Sequence, residues 1–266
     1  MHGVFSYIQM IPIKKGPLDS GYSHDAWVIE DEPKFIHRGL LLDCGRHFMS
    51  VEKIKETLQT MALYKMNVFH WHLTEDQGWR IEIKKYPKLT SVGGYRLVNE
   101  QNYGGFYTQE QIRDIVSYAN RLHIMVIPEI ELPGHSVAAI ASYPFLSCMG
   151  QQISVETDWG VFKDIYCAGN DKTIQFIKDV LDEVVSLFPA PYIHIGGDEA
   201  PKVRWENCTK CQKRIKDEHL KNEAELQTWM IEEVAKHLKS KGKDIIGWDE
   251  ILEGGIPSGA VICSVS

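Results

Sequence analysis

The sequence predicts an α/β fold, a (β/α)8 TIM barrel of which about six of the eight strands lie within these 266 residues. Short apolar, β-branched runs alternate with longer segments of helical period, a pattern typical of parallel strands joined by crossover helices. Most of these runs end in titratable or aromatic residues, and the functional groups of a barrel gather at the C-terminal ends of its strands. The first run lacks the glycine-rich phosphate fingerprint of an open doubly wound sheet. A barrel is therefore favoured.

The predicted strands are short, apolar and bounded by polar or turn-forming residues. They are Arg38–Asp43, Asn67–Leu73, Ile124–Ile130, Tyr192–Gly196, Asp244–Trp248 and Ala260–Ser266. The polar segments at their ends are Asp43 to Arg46, His72 to Asp76, Glu129 to His135, Asp198–Glu199, and Trp248 to Glu250. Because closure of a barrel needs eight strands, we expect the sequence to be cut at both ends.

Helices are predicted in the gaps between strands, where a capping residue precedes apolar residues at helical spacing. The predicted starts are Ser50, Thr108 with Gln111, Asp171, and Asn222 with Glu225. Thr108 and Gln111 have the spacing of a capping box. Each crossover connection is thus expected to be a helix.

Two units are expected along the chain. Residues 1–35 contain the amphipathic stretch "GVFSYIQMIPI", which we interpret as the remnant of a preceding domain with its linker. Residues 36–266 are expected to form the barrel, incomplete at its C-terminal end. The first residues lack a charged leader and a cleavage site, and apolar runs fall short of the roughly 18 residues of a spanning helix. Neither an export signal nor a membrane span is expected.

Composition excludes some partners. Asp and Glu outnumber Lys and Arg by 36 to 29, which argues against nucleic acid because a phosphate-rich partner needs clustered positive charge. Six cysteines are few for this length, so a disulfide framework is not expected. Cys208 and Cys211 have the spacing of half a zinc site, but a second pair does not follow them. We therefore expect no metal, while one disulfide remains open if the protein is exported.

The stretch "HIGGDEAPKVRW" places two acids, Asp198 and Glu199, directly after Gly196 and Gly197. Neighbouring side chains on a strand point to opposite faces, but glycines allow the chain to turn so that both acids reach one cavity. Two carboxylates that close raise the pKa of one partner, as a general acid requires. The alternative is a solvated acidic turn or a helix N-terminus, which the glycines and the preceding apolar strand disfavour.

Several motifs together carry a family resemblance. They are "RGLLLDCGRHF", "NVFHWHLTEDQGWRIEI", "ELPGH", "HIGGDEAPKVRW" and "GWDEIL". In this order they resemble the catalytic domain of family 20 glycoside hydrolases, the β-N-acetylhexosaminidases, from about Gly3 to the last residue. The resemblance implies a TIM barrel that removes terminal β-linked N-acetylglucosamine or N-acetylgalactosamine. It implies a retaining, substrate-assisted route through an oxazolinium-like intermediate. It also implies that no metal or cofactor is needed, and that the full-length protein is exported to the periplasm, the medium or a lysosome.

The resemblance assigns the catalytic roles by motif. Glu199 matches the general acid/base, and Asp198 matches the acid that holds the substrate's acetamido group while its carbonyl oxygen attacks the anomeric carbon. Arg46, just past the first strand, matches an arginine that grips sugar hydroxyls through its fork of donors. A surface ion pair is the alternative role for Arg46.

Further matches concern the surroundings of the acid pair. His135 and the first acid of "TEDQ" match partners that set the protonation of the catalytic glutamate. Many relatives have Asp at that acid, whereas this chain has Glu75 followed by Asp76, so either residue is a candidate and Glu75 is preferred. Trp229 and Trp248 match rings that wall the acetamido pocket, although core packing is the usual role of tryptophan.

Two other functions stay open. His70 and His72 could bind a catalytic metal with His194 and Asp198, although such a pair usually lies on the first barrel strand. Trp71, between the two histidines, is expected to pack in the core. Alternatively the chain is inactive or binds sugars, since the sequence ends before the family's last two strands. We expect the chain alone to be weakly active and poorly soluble. The gluco or galacto preference, the natural glycan and the oligomeric state stay open.

Overall fold

The computed structural model describes residues 2–10, 28–255, 257 and 259–264. Its strands are β1 (Gly39–Asp43), β2 (Val68–His72), β3 (Thr74–Glu75), β4 (Gly78–Trp79), β5 (Tyr95–Val98), β6 (Gln101–Gly104), β7 (Met125–Glu129), β8 (Tyr192–His194), β9 (Asp244–Trp248) and β10 (Val261–Cys263). Its α-helices are α1 (His2–Met10), α2 (Val51–Leu63), α3 (Lys88–Ser91), α4 (Gln109–Arg121), α5 (Val137–Ser142), α6 (Asp171–Leu187), α7 (Val203–Glu206), α8 (Thr209–Asp217) and α9 (Glu223–Ser240). Short 3₁₀ turns cover Pro144–Leu146 and Asp249–Leu252.

The described residues contain one six-stranded parallel sheet in the order β1-β2-β7-β8-β9-β10, which confirms the predicted α/β barrel-type sheet. Helices α2, α4, α6 and α9 lie in the connections between its first five strands, as predicted. Between β9 and β10 the described residues form only the 3₁₀ turn Asp249–Leu252, so the expectation of a helix in every connection is not met there. Each predicted strand is present with bounds that differ by a few residues at most, although Val265 and Ser266 lie outside the described residues. Strand β8 ends at His194, two residues earlier than predicted, and the chain then turns at Gly196 (φ 66°) and Gly197 (φ 97°).

The predicted helix starts are also present. The Ser50 hydroxyl accepts the Lys53 amide at 3.2 Å, and Thr108 forms a full capping box with Gln111. Asn222 accepts the Glu225 amide at 3.0 Å. The remaining start differs by one residue: Asn170 caps α6, and Asp171 is its first helical residue. These caps satisfy amide groups that would otherwise lack partners at the helix ends.

The core lies between the sheet and its helices. Helix α2 buries Ile54, Leu58 and Met61, the face predicted from their spacing. Trp71 on β2 is fully buried as expected, with its ring centroid 4.8 Å from that of Tyr107. Aromatic rings at this separation contribute packing energy beyond simple area burial. The outer strand β1 is less covered, with Leu40 and Leu41 more than a third exposed.

The sheet register aligns titratable residues in one row. Asp43 pairs with His72, His72 pairs with Glu129, and Glu129 pairs with His194. All four stand at or next to the C-terminal ends of parallel strands, so their side chains meet at one edge of the sheet. The functional residues should therefore be sought there.

A buried arginine fixes the backbone beside this edge. Arg80 follows the β3–β4 hairpin and is fully buried, and its guanidinium donates to backbone carbonyls. The acceptors are Cys44 (2.9 Å), Gly45 (2.8 Å), Gly94 (2.6 Å) and Gly105 (3.0 Å). Arg80 thereby ties the turn after β1 to both ends of the β5–β6 hairpin.

The N-terminal region is described in part. Helix α1 contacts α2, and the Gln9 side chain donates to the Leu63 carbonyl. Residues 11–27 lie outside the described part, so the assignment of 1–35 to a preceding domain and of 36–266 to the barrel stays a prediction. Among the helices of the described ranges, none is long and apolar enough to cross a membrane.

We predict that Arg80→Met lowers the free energy of unfolding by more than about 3 kcal/mol, because several buried carbonyls lose their donor at once. Urea denaturation followed by circular dichroism measures this. The matched control is Arg113→Met on the exposed face of α4. Because surface substitutions usually change the free energy of unfolding by less than about 0.5 kcal/mol, we expect a change of that size for this control. Equal effects of the two substitutions would contradict the role of Arg80.

Candidate active site

Glu129, at the end of β7, is a fully buried carboxylate that contacts side chains of three other strands. Its oxygens lie 2.8 Å from His70 Nε2, 2.8 Å from His194 Nδ1 and 3.4 Å from His72 Nδ1. The indole Nε1 of Trp248 donates to the same carboxylate at 3.0 Å. One acid thus joins β2, β7, β8 and β9 at their C-terminal ends.

These contacts set the charges of the cluster. Burial alone would raise the pKa of Glu129, but the His72 charge and hydrogen bonds with His194 and His70 lower it well below its usual range. Burial opposes protonation of His72, yet Glu129 and Glu131 raise its pKa to about 10. The pKa of His194 is likewise raised against burial, by Cys263 and Glu129, to about 9. Burial lowers the pKa of His70. Glu129 is therefore an ionised acid beside two cationic imidazoles, those of His72 and His194, at neutral pH.

Glu131, two residues further on, has the opposite protonation. Burial and the charge of Asp198 raise the pKa of Glu131 well above its usual value. Its Oε1 lies 3.3 Å from Nε2 of His72. It lies against Gly196, where an added Cβ would stand 1.7 Å from Glu131 Oε2. A glycine is thus required in the turn that leads to the acid pair.

Asp198 and Glu199 face one point in space. His135 Nε2 lies 3.6 Å from Asp198 Oδ2 and 3.5 Å from Glu199 Oε2. One oxygen of each acid lies within 4.8 Å of the other. Besides the two glycines, Glu199 itself (φ 42°) and His135 (φ 48°) have left-handed backbone conformations. Such strain is costly for residues other than glycine and is often retained at functional sites.

His135 is a buried cation held by acids on both ring nitrogens. Its Nδ1 lies 3.2 Å from Glu75 Oε2 and 3.2 Å from Asp76 Oδ2. Although burial lowers the pKa of His135, hydrogen bonds with Asp198, Asp76 and Glu75 raise it far above its usual value. Glu75 and Asp76 are equally close to His135, and the role predicted for Glu75 or Asp76 stays a prediction.

Arg46 adds a further charge to this group through an ion pair with Glu75. Its guanidinium lies 2.5 Å from Glu75 Oε1 and 2.8 Å from Asp43 Oδ2. Cζ of Arg46 lies 4.9 Å from the ring centroid of Trp159, a residue that is 71% exposed. Arg46 is therefore at the edge of the site, with its charge partly neutralised, and its contact with a sugar stays a prediction.

The turn that carries the acid pair is held by side chains from neighbouring elements. Glu250, in the 3₁₀ turn after β9, accepts the backbone amide of Glu199. Gln227 on α9 donates to the carbonyl of Gly197 at 2.8 Å. A cleft of about 300 Å³ lies beside Glu199, between Glu250, Gln227 and Val161. Glu199 is thus held at the wall of this cleft.

The two predicted wall residues have different surroundings. Trp248 stands at the end of β9, with its ring centroid 4.8 Å from that of His194, and the bond to Glu129 fixes its orientation. Trp229, on α9, is half-buried, and the guanidinium of Arg214 lies 4.6 Å from its ring. Trp248 is therefore joined to the acid cluster, while the role of Trp229 as a pocket wall stays a prediction.

Sequence reasoning assigned no role to some residues of the site. Glu129 and Glu131 alternate at the end of "VIPEIE", and this period could have indicated that both acids share one face. Glu250 lies in the predicted polar segment Trp248 to Glu250, but its contact with Glu199 arises from the fold. Trp159 lies in a segment without a recognisable signal, and its contact with Arg46 also arises from the fold.

The proposed metal set is divided between two groups. His70 and His194 meet at Glu129, whereas Asp198 lies with His135 and Glu199. The two histidines have an acid partner that accounts for their position. The structure thus separates the ligands that a metal hydrolase built on His70, His72, His194 and Asp198 would need.

Comparison with known proteins identifies relatives. The family described as "Glycosyl hydrolase family 20, catalytic domain" matches residues 35–264. A β-hexosaminidase of Porphyromonas gingivalis is 56% identical over 237 residues, which cover 89% of this chain and 30% of that protein. A β-hexosaminidase of Vibrio furnissii is 42% identical over 244 residues, which cover 85% of this chain and 39% of that protein.

Solved structures agree. The Vibrio harveyi exo-β-N-acetylglucosaminidase in complex with N-acetylglucosamine has a TM-score of 0.81 and 40% identity, covering 89% of this chain and 39% of its own. A mutant Streptomyces plicatus β-hexosaminidase in complex with its product GlcNAc has a TM-score of 0.80 and 32% identity, covering 99% of this chain and 49% of its own. The chain spans less than half the length of each of these relatives. These similarities confirm the predicted fold and family.

We predict that Glu129→Gln lowers the stability of the protein much more than Glu131→Gln does. Glu129→Gln leaves the buried cationic imidazoles without their counter-charge, so the free energy of unfolding falls by about 3 to 5 kcal/mol at pH 7. Glu131→Gln replaces a neutral acid by a neutral amide of the same shape, and the change stays below about 1.5 kcal/mol. Urea unfolding measures both, and a more costly Glu131→Gln would contradict these charge states.

The pH dependence checks the same assignment. The pKa of His72 is raised in the folded state from 6.5 to about 10, so its contribution to stability is complete below pH 6.5 and is lost as the pH rises toward 10. The free energy of unfolding should therefore fall across this range in the parent protein. The fall should be smaller in Glu129→Gln, which lacks the main charge that raises the pKa of His72.

Proposed function

This chain belongs to glycosyl hydrolase family 20, and we propose that it carries the catalytic groups of a retaining exo-glycosidase. The proposed reaction removes terminal β-linked N-acetylglucosamine or N-acetylgalactosamine from a carbohydrate. The observation that carries the proposal is the convergence of Asp198 and Glu199 on the His135 cation. The names of the relatives, β-hexosaminidases and an exo-β-N-acetylglucosaminidase, support the substrate class.

The placement of the two acids supports a substrate-assisted route. A protein nucleophile and a general acid must stand across the scissile bond from one another. Asp198 and Glu199 leave one turn side by side and face the same histidine, so they are poorly placed to flank a sugar ring. The nucleophile then comes from the substrate, as the carbonyl oxygen of its acetamido group.

Exposure distinguishes the two roles. The Glu199 side chain is 49% exposed and borders the cleft, so it can reach the glycosidic oxygen. The Asp198 side chain is 24% exposed, less than that of Glu199, which suits a partner for the acetamido N–H. Glu199 is the proposed general acid/base, and Asp198 the group that orients the acetamido nucleophile.

The reaction then has two steps. Glu199 donates its proton to the leaving oxygen while the acetamido oxygen bonds to the anomeric carbon and the glycosidic bond breaks. The resulting oxazolinium carries positive charge that the Asp198 carboxylate stabilises. Water next attacks the anomeric carbon, Glu199 takes its proton, and the acetamido group reforms. Two inversions at one carbon give net retention.

His135 is proposed as a positioning residue for both acids. Its positive charge lies between two carboxylates that would otherwise repel each other, and this arrangement offsets their repulsion. Glu75 and Asp76 hold the opposite ring nitrogen, so the imidazolium cannot rotate away from the pair. The Trp248 ring, fixed by Glu129, supplies a flat apolar surface for the acetamido methyl.

We predict that Glu199→Gln and Asp198→Asn respond differently to the leaving group. With a nitrophenyl leaving group, which departs without much help from an acid, Glu199→Gln should lose less activity than with chitobiose, for which the loss is about 10² to 10⁴-fold. Asp198→Asn should lose about 10² to 10³-fold with both substrates, because it acts on the nucleophile. Initial rates of the purified full-length protein measure this.

A substrate control accompanies these variants. Nitrophenyl β-N-acetylglucosaminide and nitrophenyl β-glucoside differ only in the acetamido group, and the parent protein should turn over the former alone. Equal rates on the two substrates would exclude acetamido participation. A sugar-binding protein without activity would bind N-acetylglucosamine but turn over neither substrate.

We also predict a role for Trp159 in binding the substrate. Its exposed ring lies beside Arg46, in the loop that places Val161 at the Glu199 cleft. Trp159→Ala should raise KM about tenfold, equivalent to about 1.4 kcal/mol of binding, with kcat little changed. The matched control is Tyr64→Ala, also 71% exposed but at the C-terminal end of α2. An unchanged KM for Trp159→Ala would exclude the ring from the binding surface.

A further inference from the structure

Four cysteines meet outside the acid cluster. The Sγ atoms of Cys148, Cys167, Cys208 and Cys211, here named the cysteine cluster, all lie within 4.8 Å of one another. The separations are 3.7 Å for Cys148–Cys211, 3.8 Å for Cys167–Cys208 and 3.7 Å for Cys167–Cys211. All six cysteines of the chain lie within the described ranges, and none is in a disulfide.

The separations match a tetrahedron around one metal ion. A zinc–sulfur bond of about 2.3 Å places tetrahedral sulfurs about 3.8 Å apart. The sulfurs of a disulfide stand about 2.05 Å apart, and each has a single partner. Here the Sγ of Cys167 is almost equally distant from Cys208 and Cys211, and the Sγ of Cys211 is equally distant from Cys148 and Cys167. This mutual spacing is that of four ligands rather than of two bonded pairs.

The backbone builds the cluster from two short units. An antiparallel bridge between Ser147 and Tyr166 holds the two segments together, and the residues that follow this pair, Cys148 and Cys167, project to the same side of the bridge. Cys208 is the N-cap of α8 and Cys211 lies in its first turn, where amide groups and the helix dipole favour thiolates. The two units are a strand-like bridge and a helix start, each with a pair of ligands.

A glycine allows the two units to approach. A Cβ on Gly169 would stand 2.2 Å from the Lys210 carbonyl carbon and 2.3 Å from the Cys211 amide nitrogen. Hence any other residue at 169 would push the Cys167 segment away from the start of α8. Cys167 and Cys211 are fully buried, and Cys208 nearly so, as in a closed structural site. Helix α8 is also basic in its last turn, where Arg214 and Lys216 stand.

We propose that these four thiolates bind one Zn²⁺ ion. The sequence offered half of the site in Cys208 and Cys211, and the fold supplies the other half from Cys148 and Cys167. Four sulfur ligands in a closed tetrahedron select zinc among the common divalent ions. The ion has no open position for substrate, so its role is structural.

The ion would fix the loop beside the acid pair. Cys148 and Cys167 stand at the two ends of a long segment that carries Trp159, and the cluster closes this segment at its base. The same loop bonds the site directly: the Glu156 amide donates to the Asp76 carbonyl at 3.2 Å, and Gln77 donates to the Asp158 carbonyl at 2.7 Å. Loss of zinc should therefore loosen the loop while the acid pair keeps its own supports.

Metal analysis of the tag-free, full-length protein, purified without chelator, tests the proposal. Elemental mass spectrometry should find close to one zinc ion per chain after dialysis. Cys148→Ser should retain less than about a tenth of that zinc, since a ligand is lost, and its thermal midpoint should fall by about 5 °C or more. The matched control, Cys263→Ser, removes a half-buried cysteine outside the cluster and should retain the zinc.

Other results would overturn the zinc site. A metal-free parent protein in which native mass spectrometry finds four free thiols or two disulfides at these positions contradicts the proposal without any variant. Equal zinc in the parent and in Cys148→Ser would show adventitious binding elsewhere. Replacement by Co²⁺ gives a second readout, because tetrahedral thiolate ligation produces sulfur-to-cobalt charge-transfer absorption that Cys148→Ser should lack.

Chelation separates this proposal from the proposed function. Pyridine-2,6-dicarboxylate should lower the thermal midpoint, whereas kcat measured well below that midpoint on nitrophenyl β-N-acetylglucosaminide should change less than about threefold. Immediate loss of kcat without a change in the thermal midpoint would instead indicate a catalytic metal and would overturn the structural role.

Discussion

The buried Glu129 carboxylate is the interaction on which the rest of the site depends. It lies in register between His72 and His194 and bonds His70 and Trp248 as well, so one charge joins four strands at their C-terminal ends. A carboxylate without water is tolerated because cationic imidazoles and an indole N–H replace its hydration. Since these partners come from β2, β8 and β9, their strand ends, and the turns that follow, are set relative to each other.

The titratable groups around Glu129 differ in their protonation. Glu129 is ionised, whereas burial and the charge of Asp198 raise the pKa of Glu131, two residues away, and keep it neutral. Above them His135 is cationic between two pairs of acids, Glu75 with Asp76 and Asp198 with Glu199. Like charges adjacent in sequence are thus separated in space by a cation or by a proton. In the proposed chemistry Glu199 additionally carries a proton beside the charged Asp198.

The loops add a second level of support. Arg80 ties the turn that presents Arg46 to the β5–β6 hairpin through carbonyl oxygens, without using any charge of the site. On the other side, the cysteine cluster closes the loop that carries Trp159. Arg80 and the cysteine cluster each hold irregular backbone that lies outside the sheet. The site therefore combines rigid acids at strand ends with loops fixed by their own local anchors.

The sequence by itself determined the strands, the helix caps and the acid pair. Hydrophobic period, capping residues and the "GGDE" turn act over a few residues, so Asp198, Glu199 and the α/β barrel were predictable from local chemistry. Tertiary structure decided which side chains meet. Glu75 and Asp76 share His135, and Glu250 accepts the backbone amide of Glu199. Likewise Cys148 and Cys167 join Cys208 and Cys211. These contacts cross long stretches of chain, and their partners are fixed by strand register and loop closure, which no local pattern encodes.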